Sequence, residues 1–185
     1  VLAGSTDSEV SVPYEAIAQA LAPVMVAGHA TAATESRADV LRRLFPAPGS
    51  APTDAQPEFA RAELFDAVAS LLGDLARRRP VLVVLDDLHW ATPSSIRLLA
   101  HLAGRITEAR VLVVATTRPD DATAPSRFEL GALARDLDRA DLVELPALDE
   151  HEVGELVAAL RPGAPASRVV ELAGVVHRES GGNPF

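Results

Sequence analysis

The 185-residue sequence contains no lysine, and all 17 of its basic residues are arginine. A phosphate-binding loop of the form G-x-x-x-x-G-K-[ST] uses a lysine to reach the β- and γ-phosphates, and this chain cannot supply one. It also lacks cysteine, which removes disulfides, thiolate metal sites and thiol nucleophiles and fits a reducing compartment. Basic residues are outnumbered by 26 acidic ones, for a net charge of −9. That balance argues against a binder of nucleic-acid backbones, whose affinity comes from cations displacing condensed counterions. No apolar run is long enough to span a bilayer, and no basic segment leads into an apolar stretch at the N-terminus. The expectation is a cytoplasmic globular protein with no membrane partner, long enough to bury one substantial core.

What is present alternates between helical and strand-like patterns. Residues 1–4 read like the end of a buried strand, and the chain stops inside the motif-like phrase Gly182-Asn183-Pro184-Phe185, so both ends read as cut. Pro13 opens an amphipathic helix over residues 14–26, with Ile17, Leu21 and Val24 on one face. Residues 28–57 turn to alanine, proline, threonine and serine and read as a surface excursion, with one short helical pattern around Val40, Leu41, Leu44 and Phe45. A longer helix is expected over residues 59–79.

Residues 81–85 are continuously aliphatic, the pattern of a strand covered on both faces, and residues 111–115 repeat it. Between them Thr92 and Pro93 supply the N-cap and first position of a helix expected to end at Gly104. Further on, the pattern predicts a helix over 128–137, a short strand over 141–145, and a helix opened by Asp149 with Glu152 three residues later, as in a capping box. Strands alternating with helices predict an α/β fold with a parallel, doubly wound sheet. The last stretch has two helical patterns and no strand, with Pro146 as the candidate hinge, and there is no internal repeat.

Chemistry concentrates in the phrase Leu85-Asp86-Asp87-Leu88-His89-Trp90, where a buried strand delivers two adjacent carboxylates at its carboxyl end. Open α/β sheets bind ligands there. One carboxylate can hold Mg²⁺ and the next can orient or deprotonate a water attacking a γ-phosphate. Read alone, the pair equally suits a solvated turn. The next strand ends in Thr116-Thr117-Arg118, placing polar and cationic groups at the same sheet edge, and Arg118 there could meet a γ-phosphate or pair with Asp120 or Asp121. His89 could hydrogen-bond at the nucleotide edge, but a packed or solvent-facing histidine is the plainer reading, and Trp90 reads as a packing residue rather than a stacking platform. The five histidines show no spacing for zinc. Neither G-x-S-x-G nor G-x-G-x-x-G is present, which sets aside hydrolase and dehydrogenase readings.

With these phrases in place, the sequence resembles the STAND branch of P-loop NTPases, and within it the AAA-type ATPase domains of large LuxR-type transcriptional regulators. The phrase running from Val84 through Ala91, followed by Pro93-Ser94-Ser95 and Leu98-Leu99, resembles their Walker B segment and its helix. Thr116-Thr117-Arg118 resembles the sensor strand, and Ser180 through Phe185 the glycine-x-proline phrase of a helical lid. Gly4 and the Pro13-Tyr14 region resemble the segment after the phosphate-loop helix. The resemblance implies a P-loop NTPase core over residues 1–146, without its first strand and phosphate-binding loop, and the beginning of a helical lid over 147–185. It implies an ATP-dependent switch using ATP and Mg²⁺: Asp86 serving the metal, Asp87 the attacking water, Arg118 the γ-phosphate and Pro184 the adenine. Implied partners are output domains in the same parent chain, with DNA reached only through a C-terminal domain not in this sequence, and nucleotide-dependent self-association. The chain alone is expected to be inactive. The competing reading is a degenerate NTPase-fold scaffold used only for protein–protein interaction, and Gly181-Gly182-Asn183-Pro184 also suits a plain helix cap followed by a turn.

Overall fold

The computed structural model describes residues 1–7, 12–27, 37–45, 57–118, 133 and 140–184. The chain divides into two compact units, Val1–Ala140 and Asp141–Phe185. In the first, β1 (Leu2–Ser5), β2 (Val81–Asp86) and β3 (Val111–Ala115) form a parallel sheet in the order β1-β2-β3. Its helices are α1 (Glu15–Val26), the single-turn α2 (Ala38–Leu41), α3 (Glu58–Arg78) and α4 (Pro93–Arg105). The fold is α/β, a parallel sheet with flanking helices consistent with the P-loop NTPase class.

Residues alternate across a strand, so one face of this sheet carries Val81, Val83 and Leu85, which are buried, together with Val111 and Val113. Ile17 and Leu21 of α1, Leu72 of α3, and Leu99 and Leu102 of α4 close over Val83, Leu85 and Val113. The opposite face behaves otherwise. Leu112 and Val114 are 61% and 43% exposed, and Leu82 and Val84 are half-buried. Aliphatic runs of this kind predict cover on both faces, and among the described residues only one face has it.

Two contacts fix the helices on the packed face. Gly4 lies so close to α1 that a Cβ there would stand 1.9 Å from the Ala16 carbonyl oxygen and 3.0 Å from the Ala20 nitrogen. Between α3 and α4, Asp66 accepts from His101 at 2.9 Å and from Arg105 at 3.0 Å, beside a ring chain running from Tyr14 through Phe65 to His101. The guanidinium of Arg110, just before β3, donates to the Ala76 and Arg77 carbonyls at 2.8 and 3.0 Å, satisfying acceptors left open at the end of α3.

Several expectations need correction. Leu41 and Leu44, in the stretch read as a surface excursion, are 0% and 3% exposed and belong to the core. Their apolar spacing outweighs the polar, proline-rich composition around them. Phe59, the residue at which the helix over 59–79 was expected to begin, is 81% exposed, because it stands in the first turn ahead of the packed stripe that begins at Leu64. Helix α4 passes through Gly104 and ends at Arg105. Residues 141–145 form no strand: a strand exists only by pairing with a neighbour, no ladder reaches them, and Leu142, Val143 and Leu145 are 72%, 76% and 89% exposed. The helix expected at 128–137 lies outside the described residues except for Leu133.

The second unit is a helical hairpin of α5 (Glu150–Leu160) and α6 (Ala166–Ser180), within which the expected hinge residue Pro146 also falls. Asp149 accepts from the Glu152 backbone and Glu152 accepts from the Asp149 backbone, the expected capping box. Gly181 ends α6 in the left-handed conformation, its N–H bonded to the His177 carbonyl at 2.9 Å. Gly182 follows at φ 80°, its carbonyl accepting from the Leu148 N–H at 2.9 Å, and a Cβ on it would meet the Leu148 carbonyl oxygen at 2.2 Å. The cap-and-turn form expected of this phrase is therefore present. Among the described residues, no helix is long and apolar enough to cross a membrane.

Two glycines separate close packing from helix propensity. Gly4→Ala should lower stability by about 1–3 kcal/mol, because its methyl must displace helix backbone. Gly73→Ala, where nothing lies within 4 Å of the added Cβ in the middle of α3, should raise it by about 0.5–1 kcal/mol. Thermal melting of both variants checks the opposite signs. In the second unit, Asp149→Ala removes the N-cap and should cost about 1 kcal/mol, read as lost helical circular dichroism on heating.

Candidate functional site

Strand β2 is the middle strand, paired with β1 from Leu2↔Val83 to Ser5↔Asp86 and with β3 from Val81↔Val111 to Leu85↔Ala115. All three strands run the same way, so their carboxyl ends converge on one edge of the sheet. That edge receives Ser5 and Thr6 from β1, Asp86 and Asp87 from β2, and Thr116 to Arg118 from β3.

Asp87 leaves the strand in the left-handed conformation, φ 56° and ψ 35°, which costs a residue with a Cβ about 1–2 kcal/mol. Hydrogen bonds from both neighbouring strands hold it there. The Asp87 N–H donates to Thr116 Oγ1 at 2.9 Å, and the next N–H, of Leu88, donates to the Thr116 carbonyl at 3.0 Å. From the other side, Thr6 Oγ1 donates to the Asp87 carbonyl and the Thr6 N–H donates to the Asp86 carbonyl at 3.1 Å. Thr116 Oγ1 in turn donates to Asp86 Oδ1.

The short 3-10 turn Leu88–Trp90 follows. It buries His89 to 1% exposure with Nδ1 3.7 Å from Asp87 Oδ1, and tilts the half-buried Trp90 ring 5.3 Å from the imidazole. Both residues are packed, as Trp90 was expected to be. Thr92 then caps α4, accepting from the Ser95 N–H, while Ser95 Oγ accepts the Tyr14 N–H at 2.8 Å. Tyr14 is itself left-handed at φ 65°, so the start of α1 is tied to the start of α4.

The charges at this edge are unequal. The side chain of Asp87 is 41% exposed, and Arg118 Nε lies 4.0 Å from its Oδ1, at the outer limit of an ion pair and 74% exposed. Such a contact is worth only about 0–1 kcal/mol, so the guanidinium stays available to another anion. The loop after β1 adds Asp7 and leads to Glu15. Partial burial holds the Glu15 carboxyl above its usual range, with the Asp7 charge adding to this and hydrogen bonds from the Asp7 backbone and Gln19 opposing it.

Three of the four candidate residues, Asp86, Asp87 and Arg118, thus share one edge of the sheet. Pro184 belongs to the second unit, where it is exposed just beyond the Gly181-Gly182 turn. Asp120 and Asp121, the other candidate partners of Arg118, lie outside the described residues. Sequence reasoning overlooked Thr6, and it gave Thr116 no role of its own. A hydroxyl residue directly following each strand flanking the acid pair was the available signal.

Known proteins bear on this geometry in three ways. A curated relative, the uncharacterized protein R02095 of Rhizobium meliloti (strain 1021), is 34% identical over 105 residues, which is 53% of this chain and 10% of the relative. This chain therefore spans only a small part of that protein's length. No solved structure gives a significant match. The family model described as "AAA ATPase domain" matches residues 1–114, a span that includes β1, the acid pair and most of β3. With that span of its parallel sheet and helices matched, the chain belongs to the AAA ATPase domain family of P-loop, nucleotide-binding modules.

Proposed function

We propose that this domain is the ATP-binding and hydrolysing switch of a signalling or transcriptional regulator of the STAND class, as in large LuxR-type regulators, with Asp86-Asp87 as its Walker B acids. The observation that carries the reading is the pair of consecutive carboxylates at the carboxyl end of the central parallel strand, held by hydrogen bonds from both neighbouring strands with Arg118 in reach.

The donor set suits Mg²⁺. Thr116 engages one Asp86 oxygen, and the Asp87 carboxylate is partly open to solvent, leaving oxygens free for an ion whose shell is completed by phosphates and water. Asp86 is the residue that would hold Mg²⁺, which would supply charge neutralisation for the phosphates. Asp87, next along the chain and fixed in direction by its backbone, accepts a hydrogen bond from the attacking water and draws its proton as the γ-phosphate leaves ADP. Arg118 exchanges its weak contact with Asp87 for the γ-phosphate oxygens, a partner of higher charge. Pro184, exposed just beyond the Gly181-Gly182 turn of the second unit, is the candidate contact to adenine in this reading. Nucleotide state then acts on output domains, DNA being contacted only through such a domain, with self-association depending on the same state.

Calorimetry and turnover on the intact protein test the assignment. Asp86→Ala should weaken MgATP binding. Asp87→Asn should leave binding in place and lower hydrolysis by about 10²- to 10⁴-fold, the usual worth of a positioned general base. If the intact protein binds no MgATP, the domain is instead a scaffold for protein contacts that has lost its nucleotide chemistry. Turnover that survives Asp87→Asn would remove the role given to that residue.

A further inference from the structure

We propose that Thr6, at the end of β1, is a positioning residue for hydrolysis: its hydroxyl holds the Asp87 peptide in the left-handed conformation that aims the carboxylate. The inference rests on the role given above to Asp87 and adds a residue from a strand that carries no acid.

Asp87 is one of two non-glycine residues with positive φ among the described residues, and the bonds around it account for that conformation. Its N–H is taken by the Thr116 hydroxyl and its carbonyl by the Thr6 hydroxyl, so the peptide groups on either side of its Cα are anchored to different strands. Rotation about φ or ψ must break one of these bonds. The same rotation swings the Cα–Cβ bond, and the carboxylate with it, away from its present direction. Thr6 is fixed in its turn. It is 8% exposed, and its own N–H continues the ladder by donating to the Asp86 carbonyl at 3.1 Å.

Satisfying a buried carbonyl would by itself be an ordinary task for a threonine. Here the carbonyl belongs to a residue held in an unfavourable conformation, and the strain disappears if the residue relaxes to an ordinary region of backbone space. Without the Thr6 hydroxyl, one of the two anchors opposing that relaxation is gone. The carboxylate would remain in the site but lose its fixed direction, which impairs the chemical step more than nucleotide binding.

The test compares Thr6→Val, Thr6→Ala and Thr6→Ser in the intact protein. Valine keeps the shape and removes the donor, alanine removes the donor without pressing a methyl on the Asp87 carbonyl, and serine keeps the donor. Thr6→Val and Thr6→Ala should lower kcat by about 10- to 100-fold at unchanged KM for MgATP, as a misplacement of about 1 Å does. Thr6→Ser should restore kcat. Hydrogen exchange on nucleotide-free protein supplies a readout independent of turnover: the Asp87 and Leu88 amides should exchange faster in the valine and alanine variants and normally in the serine variant. Wild-type kcat and exchange in Thr6→Ala would overturn the inference, as would a serine variant as impaired as alanine, since the hydroxyl would then not be the operative group. If Asp87→Asn is without effect, the functional reading fails and this inference with it. If Asp87→Asn abolishes turnover and Thr6→Ala leaves it intact, only the role of Thr6 is lost.

Discussion

The left-handed turn at Asp87 is held by two hydroxyls from two strands, and the chemistry proposed for this domain depends on that restraint. A parallel sheet brings its strand ends to one edge by construction, but closeness alone does not aim a carboxylate. The backbone at Asp87 sits in a region that a residue with a Cβ seldom occupies, and bonds to Thr6 and Thr116 keep it there. The surrounding sheet is rigid enough to bear this. Its packed face is closed by α1, α3 and α4, and Gly4 lets β1 approach α1 to a distance no larger residue would permit.

The same restraint shapes the electrostatics. Among the described residues, acids outnumber bases here: Asp86 and Asp87 stand at the strand end with Arg118 weakly held by Asp87, and Asp7 lies near Glu15. A polyphosphate approaching such a surface is repelled until a divalent cation accompanies it. Under the proposed function, preference for the metal complex of a nucleotide over the free nucleotide would follow from the local charge balance. The loose pairing of Arg118 fits this arrangement, since a tightly bonded guanidinium would have to give up more to meet a phosphate.

Much of the sheet was legible in the sequence because uninterrupted aliphatic runs at 81–85 and 111–115 have few other uses. The Thr92 cap and the Asp149 capping box were legible for a similar reason, since each depends on neighbours a few residues away. The acid pair could be placed at a ligand-binding edge from its position after a strand. Thr6 escaped notice because its contact with Asp87 spans 81 residues and exists only through strand register. Leu41 and Leu44 were read as surface because of the polar composition around them, although their short apolar pattern is buried in the core. Residues 141–145 went wrong in the other direction. A short apolar-rich run suggests a strand, but pairing makes one, and pairing is a property of the neighbour.

The register that aligns Ser5 with Asp86 has a consequence for how the domain comes to life. The hydroxyls that hold Asp87 arrive from positions 81 residues before it and 29 after it, so both act together only once three separate stretches of chain have found one another. A slip of one residue between β1 and β2 would turn Thr6 to the opposite face and leave Asp87 free to relax. A partly assembled sheet would carry both acids yet lack a directed one. If Asp87 has the role proposed for it, the capacity to hydrolyse would arrive with the last strand pairing and not before it, and nucleotide would be spared by chains that have not finished folding.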